Sequence, residues 1–329
     1  MPVARPSLLL DIGNSAVKWR IQAGRHRLGG RQEYTAGFEK VLKAQWSNRL
    51  ESLQWPAVSQ SCDGPAWQVV YSSVAKKKFA ESVLRLARQS FPGEQHMLRA
   101  QAQTALVLGE DRIGVDCQYR QSLSLGADRW AAVLGLAAQG RRLRSFLSPR
   151  RATPKGGRGS SQASSGAAAG PTPLWLVSAG TATVVDMVWT WADDNGRLWQ
   201  LSHQGGLILP GIGLMREALS ASTGALGPYV QASAQAGLFK GVPRQSHQAI
   251  ARGIAAAQLG ALLVLPRPSA VFLHGGYAQD WRRCLRMVCS VMPAPQKAAP
   301  QIFEIPELVL DGLAQWAKTL SARPLPPQG

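Results

Sequence analysis

Ser7 to Ile12 is a short, mostly apolar run that stops at Gly13-Asn14, and from Ala16 to Ile21 Val17, Trp19 and Ile21 alternate with Lys18 and Arg20. Period two on both sides of a tight break predicts strand, turn, strand. Trp67 to Val74 reads as a further strand, and Lys76 to Ser90 carries Phe79, Val83, Leu84, Leu86 and Ala87 at helical spacing. Strand followed by helix points to an α/β layer. Beyond Asp128, the positions of Trp130, Ala131, Val133, Leu134 and Leu136 mark the core face of a helix. Leu174 to Val188 is again strand, turn, strand. Ser202 to Pro210 supplies a strand with a double glycine, Leu214 to Ser220 a helix, and Ser246 to Leu265 a long alanine-rich helix. Ala270 to Leu273 is a strand closed by Gly275-Gly276.

The segments LLLDIGNSAVKWRI and WLVSAGTATVVDMV share one plan: apolar strand, small or acidic residue, glycine, hydroxyl or amide residue, returning strand. Two copies of such a unit imply two related lobes facing each other, with a ligand held between the turns.

A chain of 329 residues, 45% hydrophobic and 17% charged, suits about two globular domains. Collagen periodicity, wholesale disorder and a disulfide-stapled miniprotein are excluded, since Cys62, Cys117, Cys284 and Cys289 are scattered and form no CxxC pair. Unpaired thiols and a start with only three consecutive leucines suggest a cytoplasmic protein with no membrane span. The net charge is +18, and seven of the basic residues fall between Arg141 and Pro173, a Gly/Ser/Ala/Pro-rich stretch without acids. That stretch reads as a surface insertion unable to bury enough surface to order itself. A nucleic-acid-binding arm is the competing reading.

Four constellations could carry chemistry. The first turn, Asp11 to Ser15 with Lys18 on the returning strand, combines backbone donors, a hydroxyl, a cation and a carboxylate. Those groups suit a metal-bound phosphate: Gly13 admits close approach, Asp11 can hold Mg²⁺ directly or through water, and Lys18 neutralises charge. A plain Gly-Asn hairpin with a solvated lysine fits the same residues. The second turn, Ser178 to Thr183 with Asp186 beyond it, is a similar small-residue cradle. In Gly126-Ala127-Asp128-Arg129, Asp128 could take a proton from a hydroxyl while Arg129 grips an anion, or Asp128 could be an ordinary helix N-cap with Arg129 in solvent. The run from Gly205 to Gly213 resembles a ligand-facing loop before a helix, yet it lacks the third glycine of a dinucleotide fingerprint, and no Walker motif occurs. The five histidines show no metal-ligand spacing.

In order, DIGNSAVK, Tyr119 ahead of GADR, AGTATVVD, GGLILPG, SHQAI and HGGYA resemble the motifs of the type III pantothenate kinase family, which includes proteins named Bvg accessory factor. The resemblance implies an α/β fold of two ribonuclease H-like lobes of the sugar-kinase and actin superfamily, with a cleft between them. It places the lobes at residues 1–112 and 113–329, the second interrupted by the 141–173 insertion. It further implies a homodimer and ATP-dependent phosphorylation of pantothenate to 4'-phosphopantothenate, the first step of coenzyme A biosynthesis. By position, Asp11, Gly13, Asn14, Ser15 and Lys18 would bind ATP and Mg²⁺ from the first turn, and Gly180 and Thr181 from the second. Asp128 would accept the proton, while Tyr119, Gly126, Ala127, Asp128, Arg129 and Ser246 would hold pantothenate. Ser178 stands where the family carries an acidic ligand for potassium or ammonium, His274 and Tyr277 depart from the usual late motif, and Ser246 replaces a threonine, with Thr223 a weaker substitute. These departures leave a second expectation open: a weakly active or inactive relative with a regulatory, accessory-factor-like role, nucleic-acid associated through the basic insertion.

Overall fold

The computed structural model describes residues 5–23, 26–53, 67–108, 111–140, 142–143, 171–192, 197–233, 242–282, 285 and 300–321. In chain order the strands are β1 (Ser7–Ile12), β2 (Ala16–Ala23), β3 (His26–Glu33), β4 (Trp67–Ser73), β5 (Gly93–Met97), β6 (Gln103–Leu108), β7 (Asp111–Cys117), β8 (Thr172–Ala179), β9 (Ala182–Ala192), β10 (Leu198–Pro210), β11 (Ala270–His274) and β12 (Gln301–Glu304). The α-helices are α1 (Phe38–Ser52), α2 (Lys77–Ser90), α3 (Ala127–Ala137), α4 (Ile212–Ser222), α5 (Gly227–Ser233), α6 (Ser246–Ala261) and α7 (Leu308–Ser321). Two compact units emerge, Met1–Gln139 with Glu307–Gly329, and Gly140–Pro306.

In the first unit the sheet runs β3-β2-β1-β4-β5, with β1–β2 and β2–β3 antiparallel and β1–β4 and β4–β5 parallel. Leu8, Leu9 and Leu10 are all fully buried, as expected of a central strand covered on both faces. One face packs Leu8, Leu10, Val17, Trp19 and Ile21 against Phe38, Leu42 and Trp46 of α1 and Val83 and Leu86 of α2. The opposite face is covered by α3 and α7.

The edge strand β3 carries only Leu28 as a large apolar residue, so alternation alone does not reveal it. Its glycines explain its place: a Cβ on Gly30 would stand 2.7 Å from the Trp19 ring, and one on Gly29 2.9 Å from the Trp19 carbonyl oxygen. Bare backbone there lets the indole lie flat against the strand.

The second unit repeats this order and sense. Reading outward, β10-β9-β8-β11-β12 has β8–β9 and β9–β10 antiparallel and β8–β11 and β11–β12 parallel. Both units thus have the strand plan of ribonuclease H-like lobes, and the similarity between the two hairpin segments is a real topological repeat. Trp175, Val177, Val185, Val271 and Leu273 pack against Ile250, Ile254 and Leu259 of α6. The helix expected over Ser246 to Leu265 ends at Ala261 and tightens into a 3₁₀ turn, Leu262–Val264, ahead of Pro266.

The boundary differs from the 112/113 division expected from sequence: residues 113–139 and the C-terminal helix belong with the first unit. Close packing of α3 on α7 is the reason. A Cβ on Gly135 would overlap the Leu308 carbonyl oxygen, and one on Gly312 the Ala131 carbonyl oxygen, so two glycines let the helix backbones touch. Thr172 and Pro173, expected within the insertion, open β8, whereas 144–170 lies outside the described residues.

Candidate active site

Strand pairing alone gathers the first group. Asp11 on β1 sits opposite Lys18 on β2 and opposite Ser72 on β4, whose Oγ donates to Asp11 Oδ1 at 3.3 Å. The turn between β1 and β2 closes by Gly13 N–H donating to the Ala16 carbonyl at 3.0 Å, and Tyr34 N–H donates to the Ser15 carbonyl at 3.2 Å. Asn14 and Ser15 project at the exposed tip.

Burial, the largest influence, pushes the Asp11 carboxyl up from 3.8 to about 6; Lys18 and the Ser72 hydrogen bond pull it down, and the charge of Asp128 raises it. Asp11, Lys18 and Asp128 therefore share one electrostatic site. A carboxyl whose ionisation is opposed by burial and by a second carboxylate suits a divalent cation, which offsets both. Asp11 is the ligand this arrangement offers Mg²⁺, directly or through water.

Ionisation of Asp11 opposes folding because its folded pKa exceeds the unfolded one. The penalty is absent below about pH 4, develops as pH rises, and is complete above about pH 6. Asp11→Asn is accordingly expected to melt above wild type near neutral pH without ligands, with the gap closing as pH falls from about 6 towards 4. Thermal melts across that range check this, and coincident curves at neutral pH would contradict it.

Asp128 lies in the first turn of α3, whose N-cap is Gly126 rather than Asp128. Its Oδ1 accepts the Arg129 N–H at 2.9 Å, and a Cβ on Gly126 would stand 2.7 Å from that same oxygen. Only glycine at 126 leaves the carboxylate in place. Arg129 is not in solvent: it is buried, with its guanidinium carbon 5.4 Å from the centre of the Tyr119 ring. That cation–π contact places the guanidinium over the Tyr119 ring, on the residue next to Asp128. Ala127 is buried next to it.

The second turn is one residue shorter than the first. Gly180 N–H donates to the Ala182 carbonyl two residues on at 3.1 Å, where Gly13 donates to Ala16 three residues on, and Thr181 is exposed at the tip. Two glycine-rich segments brace this turn. Gly211 N–H donates to the Thr181 carbonyl at 3.0 Å, Tyr277 N–H donates to the Ala179 carbonyl at 3.0 Å, and a Cβ on Gly211 or Gly275 would overlap turn backbone. Gly275 has φ +104°, a conformation that favours glycine. Asp186 is buried along β9 and meets His203 Nε2 at 2.7 Å.

The family described as Type III pantothenate kinase matches residues 7–143 and 162–265. The chain belongs to the type III pantothenate kinase family. It is 30% identical over 338 residues to the type III pantothenate kinase of Azoarcus sp., covering 97% of this chain and 94% of that one. Against the type III pantothenate kinase of Bordetella pertussis the identity is 32% over 213 residues, covering 62% of this chain and 64% of that one. Among solved structures, glucokinase from Parabacteroides distasonis has a TM-score of 0.42 at 11% identity, covering 98% of this chain and 99% of that chain.

Within this pantothenate kinase framework, Ser178 pairs in register with His274 on β11 and Val184 on β9. Neither side chain places a carboxylate beside the Ser178 hydroxyl. No cluster of three or more His, Cys, Asp or Glu occurs among the described residues. Ser246 is exposed at the first position of α6, and Thr223 is committed to capping α4 by donating to the Leu219 carbonyl.

Two site residues escaped sequence reasoning. Ser72 is fully buried on β4, a strand that also carries Gln68 and Ser73, so its residue type alone gave no signal. Tyr34 stacks on Phe79 at 4.5 Å, and burial and the charge of Asp11 push its phenol well up. Its hydroxyl is buried without a partner among the described residues. Nothing in its local pattern places it beside Asp11.

Proposed function

We propose that this protein transfers the γ-phosphoryl group of ATP to the primary hydroxyl of pantothenate, giving 4'-phosphopantothenate and ADP. The observation that carries this reading, beside family membership, is the electrostatic coupling of Asp11 to both Lys18 and Asp128 at a glycine turn. The turn residues Gly13, Asn14 and Ser15 offer donors to the phosphates, Lys18 neutralises their charge, and Gly180 and Thr181 contribute the second turn. When bound at Asp11, Mg²⁺ supplies charge neutralisation at the phosphoryl oxygens. Asp128 accepts the hydroxyl proton as the alcohol oxygen bonds to phosphorus and the bridging oxygen leaves with ADP. Arg129, held by Tyr119, suits the carboxylate of pantothenate, with Gly126, Ala127 and Ser246 completing its contacts. A coupled assay should record ADP release that depends on pantothenate; equal ADP release without it would overturn the reading.

A homodimer accompanies this function. Its support is an apolar groove of about 870 Å³ in the second unit, lined by Leu214, Met215, Leu219, Leu226, Ile250 and Ile254 and including Ser246. Sedimentation equilibrium should give twice the chain mass for wild type and the single mass for Leu214→Asp; a monomeric wild type would contradict it. No α-helix among the described residues is long and apolar enough to cross a membrane.

A further inference from the structure

A cavity lined by basic side chains lies in the first unit. It measures about 240 Å³ and is lined by Arg20, Gln22, Arg27, Gln139, Asp311 and Lys318, among others. Gln22 and Arg27 are register partners on β2 and β3, which puts them on one sheet face with Arg20, two residues from Gln22. Along β2, Lys18 is two residues, about 7 Å, from Arg20 at the edge of the cavity and four residues, about 13 Å, from Gln22 at strand spacing. Gln22 and Arg27 lie at the opposite end of the β2–β3 ladder from the phosphate turn.

Its charges do not cancel. Asp311 is its one acid, and both carboxylate oxygens are taken: Oδ1 by Arg20 Nη2 at 2.8 Å, Oδ2 by Gln139 Nε2 at 3.3 Å. Arg20 also meets Glu307 at 2.6 Å, so this ion-paired cluster is internally satisfied except for Arg20 Nη1, which is buried without an acceptor among the described residues. Arg27 and Lys318 are exposed and have no acidic partner among the described residues. Among the described residues, Lys318 Nζ donates to a neutral group, Gln315 Oε1, at 3.0 Å. Partial desolvation of its ammonium and the neighbouring positive charge of Arg27 lower the Lys318 pKa. A lysine in the last turn of α7 also faces the negative end of that helix, which accounts for Lys318 by itself. It does not account for an arginine set against it with no acid between them.

We propose that this cavity binds a phosphate-bearing anion at a site distinct from the nucleotide turn. The guanidinium of Arg27 and the ammonium of Lys318 supply the charge, and the amides of Gln22 and Gln315 the neutral donors, a set suited to the several acceptor oxygens of one phosphate. At about 30 Å³ per water the space holds about eight waters, enough for inorganic phosphate or the end of a small phosphomonoester.

Calorimetric titration of the full chain at low ionic strength tests this, with inorganic phosphate in one arm and glycerol 3-phosphate in the other. Saturable binding is expected in at least one arm, and the tighter arm identifies the source of the phosphate. The double variant Arg27→Ala, Lys318→Ala should weaken it by about tenfold or more while keeping the wild-type melting curve and pantothenate-dependent turnover. Lys18→Ala should leave it unchanged. No saturable binding in either arm, equal binding by the double variant, or loss of binding only in Lys18→Ala would each overturn the proposal.

Discussion

Replacing Asp128 by asparagine is expected to lower kcat by about 10²- to 10⁴-fold, the loss typical of a removed general base. The substitution is nearly isosteric, and its amide oxygen can still accept the Arg129 N–H that Oδ1 accepts at 2.9 Å. The helix start should therefore survive, and the loss should appear in kcat more than in the KM for pantothenate, because Arg129 stays over the Tyr119 ring. A second signature follows. The charge of Asp128 helps raise the Asp11 carboxyl, so its removal should move that pKa down and shift the acid limb of the pH-rate profile with it. A variant as fast as wild type would remove Asp128 from the chemistry.

The other large effect concerns the support beneath that base. Asp128 and Arg129 stand at the start of α3, which rests on α7 through Gly135 and Gly312 with backbone in contact. Gly312→Val forces a branched side chain onto the Ala131 carbonyl and should cost about 3 kcal/mol, the upper part of the usual overpacking range. For a domain of this size that lowers Tm by about 6–12 °C, and the displaced α3 should lower kcat as well. Gly260→Ala is the control. A Cβ there meets nothing within 4 Å, so the alanine should leave Tm unchanged or raise it slightly. Equal melting temperatures for Gly312→Val and wild type would show that the helices are not in contact.

Much of the fold could be read from period alone. The expected strand Ser7 to Ile12 and helix Lys76 to Ser90 match β1 and α2 to within one residue, because alternating and helical spacing are set by which faces are buried. The repeat of strand, turn, strand announced two lobes, and both sheets carry the same order. What escaped depended on partners far away in sequence. The edge strand β3 has almost no apolar signal of its own and is held by the Trp19 ring over Gly30. The return of α7 to the first unit rests on glycine contacts between residues 131–135 and 308–312, which no local pattern announces.

The site was legible in the same uneven way. Asp11, Lys18 and Asp128 could be named singly, yet their coupling arises from β-register and from the placement of α3. Reading Asp128 as an N-cap with Arg129 in solvent fails on both counts, since Gly126 caps the helix and Arg129 is buried. Tyr34 and Ser72 reach Asp11 from other elements, by Coulomb interaction and hydrogen bond respectively, and their residue types carry no motif.

Following the γ-phosphorus of ATP through a single turnover tests the central claim most directly. With wild-type protein, Mg²⁺ and pantothenate, isotopic label should pass to the pantothenate hydroxyl as 4'-phosphopantothenate, and almost none should pass with Asp128→Asn. Label that remains on ATP, or is released only as inorganic phosphate while pantothenate stays unmodified, would contradict the account.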